Sequence, residues 1–250
     1  MNKEYALTLE NRHILVTGAS SGIGRATALL ASRLGARVSL LARREHELKQ
    51  TLESLAGQGH SYWICDLACL EGIESQIKEI TAATGPLDGL AHCAGLGHNR
   101  PLAMTKPGFV HELMTVNFSS FVELIRSVAK KRHINDGASI VGVSSVAALK
   151  GDKSQGAYAA SKAAINGLVP PLAKELATRR IRVNAAAFGM MKTEMYHIFQ
   201  QGGGADEMLK GQYLGLGEPD DAAKVLCFIL SDYSRFITGT VIAADGGYLS

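Results

Sequence analysis

Short, β-branched apolar runs alternate with amphipathic segments along the chain. The runs have the length and composition of buried strands and lie at residues 12–17, 36–41, 60–65, 87–92, 138–143, 181–187 and 239–243. Helical spacing predicts helices at residues 25–34, 45–56, 68–83, 105–131 and 219–230, and another around Tyr158 and Lys162. This alternation predicts an α/β fold, a doubly wound parallel sheet of about seven strands with helices on both faces. No linker or repeat divides residues 1–250, so we predict a single domain.

Two stretches interrupt this pattern. Pro170 and Pro171 lie in the helix that carries Tyr158. Because each proline removes an intrahelical donor, we predict a kink or break at residues 166–171, at least two turns beyond Lys162. Residues 200–217 contain six glycines, which predicts an irregular, mobile substrate lid within a variable region of about 190–217.

Composition and charge exclude several classes of function. Of the 250 residues, 46% are hydrophobic and 20% are charged, and the net charge of +3 is too small to indicate a nucleic-acid or membrane partner. We find no apolar run long enough to span a bilayer and no export signal in the first ten residues. The four cysteines include no C-x-x-C pair, so we predict no metal site and expect free thiols in the cytoplasm.

A glycine cluster follows the first predicted strand directly. Residues 18–24 read G-A-S-S-G-I-G and lead into an apolar helix. A strand, a glycine loop and a helix together present backbone N–H groups to a pyrophosphate. The spacing is G-x-x-x-G-x-G rather than the commoner G-x-G-x-x-G, but the context predicts a dinucleotide site.

The end of the second predicted strand favours NADP over NAD. NAD-binding units usually place a carboxylate here to hold the ribose 2′-hydroxyl. This chain has Ala42 followed by Arg43 and Arg44, and a guanidinium suits a phosphate because it donates hydrogen bonds in pairs. The two arginines are also compatible with the start of a solvated helix.

Tyr158, Lys162 and Ser145 are suited to moving a proton to or from an oxygen. Lys162 follows Tyr158 by four residues, so both side chains would lie on one helical face. The ammonium would lower the pKa of the phenol, which can then act as a general acid or base. Ser145 ends a predicted strand, and a loop that folds back would bring its hydroxyl to face Tyr158. The tyrosine–lysine spacing alone is also common on solvated helices.

In combination these motifs resemble the classical short-chain dehydrogenase/reductase family. The likeness rests on T-G-A-S-S-G-I-G, Asn117, Ser145, Y-A-A-S-K and the closing A-D-G-G, and it covers essentially the whole chain. The thirteen-residue separation of Ser145 from Tyr158 also fits, which favours Ser145 over Ser144. The resemblance implies a Rossmann-type fold and an NADP(H)-dependent oxidoreductase that interconverts a carbonyl and a secondary alcohol.

The resemblance also implies residue roles. Tyr158 would exchange a proton with the substrate oxygen, Ser145 would hold that oxygen, and Lys162 would tune Tyr158 and bind the nicotinamide ribose. Asn117, which the helical pattern alone predicts to be an exposed polar residue, would hold a water that links Lys162 to solvent. The cofactor would lie along Gly18, Ser20, Ser21, Gly22, Ile23, Gly24, Arg43, Arg44, Asp66, Leu67, Cys93, Ala94, Gly95, Tyr158, Lys162, Met191 and Thr193.

Some features depart from the family pattern and leave the substrate open. His92-Cys93 stands where the family has Asn-Asn, and Phe188-Gly189 replaces Pro-Gly; we interpret His92 as a satisfied core histidine. The substrate would be a 3-oxoacyl thioester, or a sugar, polyol or other small carbonyl compound. Basic residues 130–132 and 179–180 would suit an acidic carrier protein, although such residues are usually solvated. A non-catalytic NADP-binding sensor or scaffold is the alternative, and the family predicts a homotetramer or homodimer.

Overall fold

A computed structural model describes residues 6–201 and 205–250. One parallel sheet contains the strands β1 (His13–Thr17), β2 (Arg37–Ala42), β3 (Ser61–Ile64), β4 (Leu87–His92), β5 (Ile134–Ser145), β6 (Arg182–Phe188) and β7 (Val241–Ala244). Their order is β3-β2-β1-β4-β5-β6-β7, and each neighbouring pair is parallel. This order confirms the predicted doubly wound sheet.

Helices cover both faces of the sheet. They are α1 (Gly22–Arg33), α2 (Glu45–Glu53), α3 (Leu70–Thr84), α4 (Pro107–Met114), α5 (Ser120–Val128), α6 (Gly156–Leu176), α7 (Glu194–Gln201), α8 (Ala205–Gly211) and α9 (Pro219–Leu230). The predicted bounds of β4 and α9 are confirmed, and the other predicted strands and the helices at 25–34, 45–56 and 68–83 are displaced by at most four residues at either end. α1 begins three residues earlier than predicted, because Gly22 and Gly24 already belong to the helix.

The alternation of side chains along each strand builds two separate cores. In β1, Ile14 and Val16 face α1, α2 and α9, whereas Leu15 faces α3, α5 and α6. This follows from the two-residue period of a strand, which sends neighbouring side chains to opposite faces. A third apolar cluster, which includes Phe109, Val146 and Phe199, lies beyond the carboxyl ends of the strands.

The predicted helix at 105–131 is not continuous. A π turn at Thr115–Ser119 joins α4 to α5. Asn117 lies in this turn and is fully buried, so the expectation of an exposed polar residue is wrong. An apolar periodicity cannot reveal a π turn, because one extra residue shifts the pattern without removing it.

Of the kink or break predicted at residues 166–171, the break is wrong, and the kink stays a prediction. α6 runs through both prolines as one helix of 21 residues. Ile165 and Val169 on one side of the pair and Ala173 on the other are buried in the same core. Packing on both sides therefore holds the helix together despite the missing N–H donors.

The predicted irregular lid contains helical structure. α7 and α8 occupy about half of the variable region of residues 190–217, and Phe199 and Met208 bury their side chains in the third cluster. This region therefore supplies apolar surface, and it is less irregular than its glycines indicate. Of these glycines, residues 202–204 lie outside the described part of the chain.

Candidate active site

A cavity of about 400 Å³ lies beyond the carboxyl ends of the strands. In a doubly wound sheet this is where ligands bind. Every residue predicted to hold the cofactor lines the cavity, and so does Ser145. Asn117 is the exception among the predicted site residues, since it lies behind the wall.

The glycine loop fits a phosphate ligand, and close backbone contacts fix its shape. Gly18 has a φ of 65°, and a Cβ there would lie 2.8 Å from the backbone nitrogen of Ala94. A Cβ at Gly24 would lie 2.3 Å from the Gly18 carbonyl oxygen. α1 begins at Gly22, and the side chain of its N-cap residue, Ser21, caps no backbone N–H group. The first turn of α1 can therefore offer its N–H groups to an anion at the cavity.

Arg43 and Arg44 have different surroundings. The Arg44 guanidinium donates to the hydroxyls of Ser20 at 3.2 Å and Ser21 at 2.7 Å. It also pairs with the carboxylate of Glu194 on α7, at 3.4 Å. Arg43 is exposed at the cavity and has no side-chain partner in the described part of the chain. Arg43 is thus the freer of the two cations.

Tyr158 and Ser145 lie together in the cavity, Tyr158 on α6 and Ser145 at the end of β5. Burial raises the pKa of the Tyr158 phenol, and a hydrogen bond from Ser145 opposes that rise. The predicted lowering of this pKa is therefore wrong for the chain alone, because burial dominates. Ser144 differs from Ser145, since its hydroxyl donates to the Lys162 carbonyl at 3.3 Å.

Lys162 lies one helical turn beyond Tyr158 and is buried. Its ammonium donates to the Val143 carbonyl oxygen at 2.8 Å. Burial lowers the pKa of Lys162 to about 8. Gly95 leaves room for the ammonium, since a Cβ at that position would lie 3.1 Å from Nζ. The amine therefore lies at the cavity, and its pKa of about 8 is close to neutral pH.

Asn117 fixes the loop that follows β4. Its Oδ1 atom accepts from the Leu96 backbone nitrogen at 2.7 Å, and its Nδ2 atom donates to the Leu96 carbonyl at 2.9 Å. Nδ2 also donates to the Ser161 hydroxyl at 2.8 Å. The Asn117 side chain thus holds the Leu96 backbone and Ser161 together, and the water-holding role implied by the resemblance stays a prediction.

His92 is buried and Cys93 is half-buried, and both are neutral groups. His92 bonds to the Thr17 hydroxyl through Nδ1 at 3.0 Å and stacks on Phe121 with ring centres 4.9 Å apart. Burial lowers the pKa of His92 to about 3 and raises that of Cys93 to about 12. The interpretation of His92 as a core histidine agrees with its burial, but the expectation that it is satisfied is wrong for one ring nitrogen, since Nε2 is buried with no hydrogen-bond partner among the described residues.

The cavity wall opposite the glycine loop is mainly apolar and was not predicted residue by residue. It includes Val146, Met190, Met195, Tyr196, Phe199 and Met208, and the polar residue Gln155. The Phe199 ring meets the Tyr158 ring edge-on at a centroid distance of 5.7 Å. In the sequence, only its position three residues before Tyr158 indicated that Gln155 belongs to the site.

Gln212 holds the backbone where Phe188-Gly189 replaces the family's Pro-Gly. Its carboxamide accepts from the Met190 nitrogen at 2.8 Å and donates to the Met190 carbonyl at 3.0 Å. A Cβ at Gly189 would lie 2.4 Å from the Gln212 oxygen. The chain after β6 is therefore fixed by a side chain that no sequence motif indicated.

Comparison with known proteins identifies the family. A family model described as enoyl-(acyl carrier protein) reductase matches residues 18–249. The 3-oxoacyl-(acyl-carrier-protein) reductase FabG of Thermotoga maritima is 32% identical over 244 residues, covering 96% of this chain and 99% of that protein. The chain belongs to the short-chain dehydrogenase/reductase family.

Two further similarities support membership of this family of oxidoreductases. Carbonyl reductase family member 4 of Danio rerio is 32% identical over 237 residues, covering 95% of this chain and 98% of that protein. The crystal structure of a dehydrogenase/reductase from Sinorhizobium meliloti 1021 is similar with a TM-score of 0.88 and 32% identity. That match covers 98% of this chain and 97% of the other.

The described residues also show what the chain does not contain. They include no group of three or more histidine, cysteine or acidic side chains placed to hold a metal ion. Within the same ranges, no helix is both long and apolar enough to cross a membrane.

Proposed function

We propose that the protein is an NADP(H)-dependent oxidoreductase that interconverts a carbonyl and a secondary alcohol. The observation that carries the proposal is the convergence of Ser145, Tyr158 and Lys162 on one cavity with the glycine loop. A non-catalytic sensor would have no use for a buried phenol beside a hydroxyl, so the enzyme is the function that these residues favour.

The proposed roles follow from the surroundings of each side chain. Because burial raises the pKa of Tyr158, its phenol is protonated at neutral pH and can donate to a carbonyl oxygen. Ser145 would hold that oxygen, and Lys162 would bind the nicotinamide ribose with a charge that responds to pH near 8. Bound NADPH would supply the hydride for reduction. Asn117 would act through the loop at Leu96 and through Ser161, which position the cavity wall.

The preference for NADP is supported by the end of β2. Ala42 supplies no carboxylate for a ribose hydroxyl, and Arg43 is free to meet a phosphate. To bind the 2′-phosphate, Arg44 would have to give up its ion pair with Glu194. We therefore assign the larger share of 2′-phosphate binding to Arg43.

The apolar wall favours a substrate with an apolar body over a sugar or polyol. Of the carbonyl compounds considered above, a 3-oxoacyl thioester fits that wall best, and several relatives carry the name 3-oxoacyl-(acyl-carrier-protein) reductase. The basic residues give less support for a carrier partner. Arg179 is engaged with Asp136 at 2.7 Å and with two backbone carbonyls, and Lys130 pairs with Glu74.

The test measures the turnover of 3-oxoacyl thioesters and simple ketones by the wild type and by Tyr158→Phe. Oxidation of NADPH is the signal that reports turnover. We expect Tyr158→Phe to lose about 10²–10⁴-fold in kcat, because the acid is removed. NADPH binding, measured by nicotinamide fluorescence, should change little. Turnover that survives the substitution would remove Tyr158 from the mechanism, and a wild type that binds NADPH but reduces no carbonyl would favour the sensor.

We also propose a homotetramer or homodimer in the cytoplasm, on the family resemblance. Leu102 and Phe236 support association, since their side chains are largely exposed at 88% and 101%. Light scattering on the purified protein would measure the assembly, and a monomer at micromolar concentration would contradict it.

A further inference from the structure

Gln155 is a buried carboxamide in the cavity wall, and one of its polar ends has no partner. The residue lies directly before α6 and three positions before Tyr158. Its exposed fraction is 2%. Its Nε2 atom donates to the Met208 sulfur at 3.3 Å, whereas Oε1 has no hydrogen-bond partner in the described ranges. A buried, unpaired acceptor is costly, and such a group in a native structure calls for an explanation.

The local fold does not need this carboxamide. Gln155 occupies the N-cap position of α6, but its side chain caps no backbone N–H group. Its own backbone is satisfied, since the nitrogen donates to the Asp152 carbonyl at 3.2 Å and the carbonyl accepts from Ala159 at 2.7 Å. An apolar side chain of the same length would fill the same space without burying an unpaired oxygen.

We propose that Gln155 determines substrate specificity by accepting a hydrogen bond from a hydroxyl or amide N–H group of the substrate. The inference rests on the proposed function and narrows its substrate class. Because the N–H end of the carboxamide is committed to Met208, the free end is an acceptor, and its partner must be a donor. The substrate is therefore a carbonyl compound with an apolar body and a hydrogen-bond donor within reach of Gln155, and a 3-oxoacyl thioester belongs to this class only when its acyl chain or thiol part carries such a donor.

The apolar surroundings make this single contact decisive. Val146, Met190 and Phe199 line the same cavity and offer no side-chain oxygen or nitrogen to accept from a hydroxyl or N–H group; the Met190 sulfur is only a weak acceptor. A substrate hydroxyl or N–H group that binds beside these side chains loses its hydrogen bonds to water. It then depends on the Gln155 oxygen to accept a replacement hydrogen bond. A site built to hydrogen-bond a substrate group discriminates strongly against analogues that lack that group, because its own polar atom is then left unpaired.

The test compares hydroxyketones with their methyl ethers as probes. The hydroxyl is placed one, two or three carbons from the carbonyl of a medium-chain ketone, and methylation removes the donor while keeping the oxygen. For at least one position we expect the wild type to favour the hydroxyketone by about tenfold or more in kcat/KM, the equivalent of one hydrogen bond. Gln155→Met, which keeps the length of the side chain, should reduce that preference to within about twofold.

Two matched variants separate this inference from the proposed function. Met208→Leu removes the sulfur contact but keeps the carboxamide, so the preference for the hydroxyketone should persist. An equal preference in the wild type and Gln155→Met overturns the role of Gln155 while the oxidoreductase activity stands. Absent turnover, or turnover that survives Tyr158→Phe, overturns the proposed function instead. In that case ligand-observed NMR on the NADPH-loaded protein still tests the role of Gln155 in binding. Equal binding of the hydroxyketone and its methyl ether by the wild type would contradict that role.

Discussion

The two sides of the active-site cavity are built in different ways. The first, which we call the backbone wall, comprises residues 18–24 and 93–96, where main-chain atoms touch and Asn117 clamps the loop. The second, the side-chain wall, comprises the inward side chains of α7 and α8 together with Met190. Main-chain contacts tolerate almost no change, whereas long apolar side chains can repack. From this difference we expect the backbone wall to bind the proposed cofactor and the side-chain wall to select the substrate.

The backbone wall should fail when one carbon atom is added to it. In Gly18→Ala, the new Cβ would meet the Ala94 backbone at 2.8 Å, at a φ of 65°. Strain and overpacking together should cost about 2–6 kcal/mol of unfolding free energy and abolish NADPH binding. Gly72→Ala in α3 is the control, since its Cβ meets nothing within 4 Å in the described part of the chain. It should stabilise by about 0.5–1 kcal/mol in denaturant unfolding. Equal unfolding midpoints for the two variants would refute the contrast.

Substitution of two phenylalanines should distinguish the core behind the backbone wall from the side-chain wall. Phe121 is fully buried beneath His92 and Gly142, so Phe121→Ala should cost about 3–5 kcal/mol of unfolding free energy. Phe199 borders the open cavity, and Phe199→Ala should cost about 1–2 kcal/mol. Phe199→Ala should instead lower kcat/KM for an apolar ketone by about tenfold. Denaturant unfolding and ketone kinetics test the pair, and a Phe199→Ala variant with unchanged substrate preference would contradict the division.

Acid should lower the stability of the protein through His92, the buried histidine next to the backbone wall. Burial lowers the folded-state pKa of His92 from 6.5 to about 3, whereas an unfolded chain keeps the ordinary value. The unfolded state therefore binds the extra proton first as pH falls. His92 contributes stability that is complete above pH 6.5 and is lost towards pH 3, at up to about 1.4 kcal/mol per pH unit. His92→Asn should flatten this part of the stability–pH profile, and parallel profiles would show that His92 is not responsible.

The rim between the two walls should discriminate between the two nicotinamide cofactors. Arg43→Ala should weaken NADPH by about 10–100-fold, the worth of a charged hydrogen bond, and leave NADH nearly unchanged. Lys131→Ala is a matched control, because Lys131 is an exposed cation at the end of α5, away from the cavity. Fluorescence titration with both cofactors measures the effect. Equal losses for NADPH and NADH would count against a phosphate contact.

The backbone wall was largely predictable from the sequence, because each of its parts is local. The spacing of Gly18, Gly22 and Gly24 specifies a conformation within one turn of chain. The same holds for the four-residue step from Tyr158 to Lys162, which lies outside this wall on α6. The structure brings these parts to one cavity, as the order of strands and helices requires.

The side-chain wall was not predictable, because it depends on contacts between distant segments. Phe199, Met208 and Gln212 become part of the site only when α7 and α8 fold over it. The raised pKa of Tyr158 has the same origin, since burial cannot be read from the four-residue spacing to Lys162. Pro170 was misjudged for a related reason, as packing of α6 outweighs its local preference.

The π turn at Thr115–Ser119 makes the protein sensitive to the length of this segment as well as to its composition. A helix rotates by about 100° per residue, and a π turn inserts one residue into that rotation. Deleting a single codon here would restore a regular helix from α4 into α5. It would also turn Asn117 away from Leu96 and Ser161. A change of one residue in the length of this segment would therefore release the loop at Leu96 even where it makes the local helix more regular.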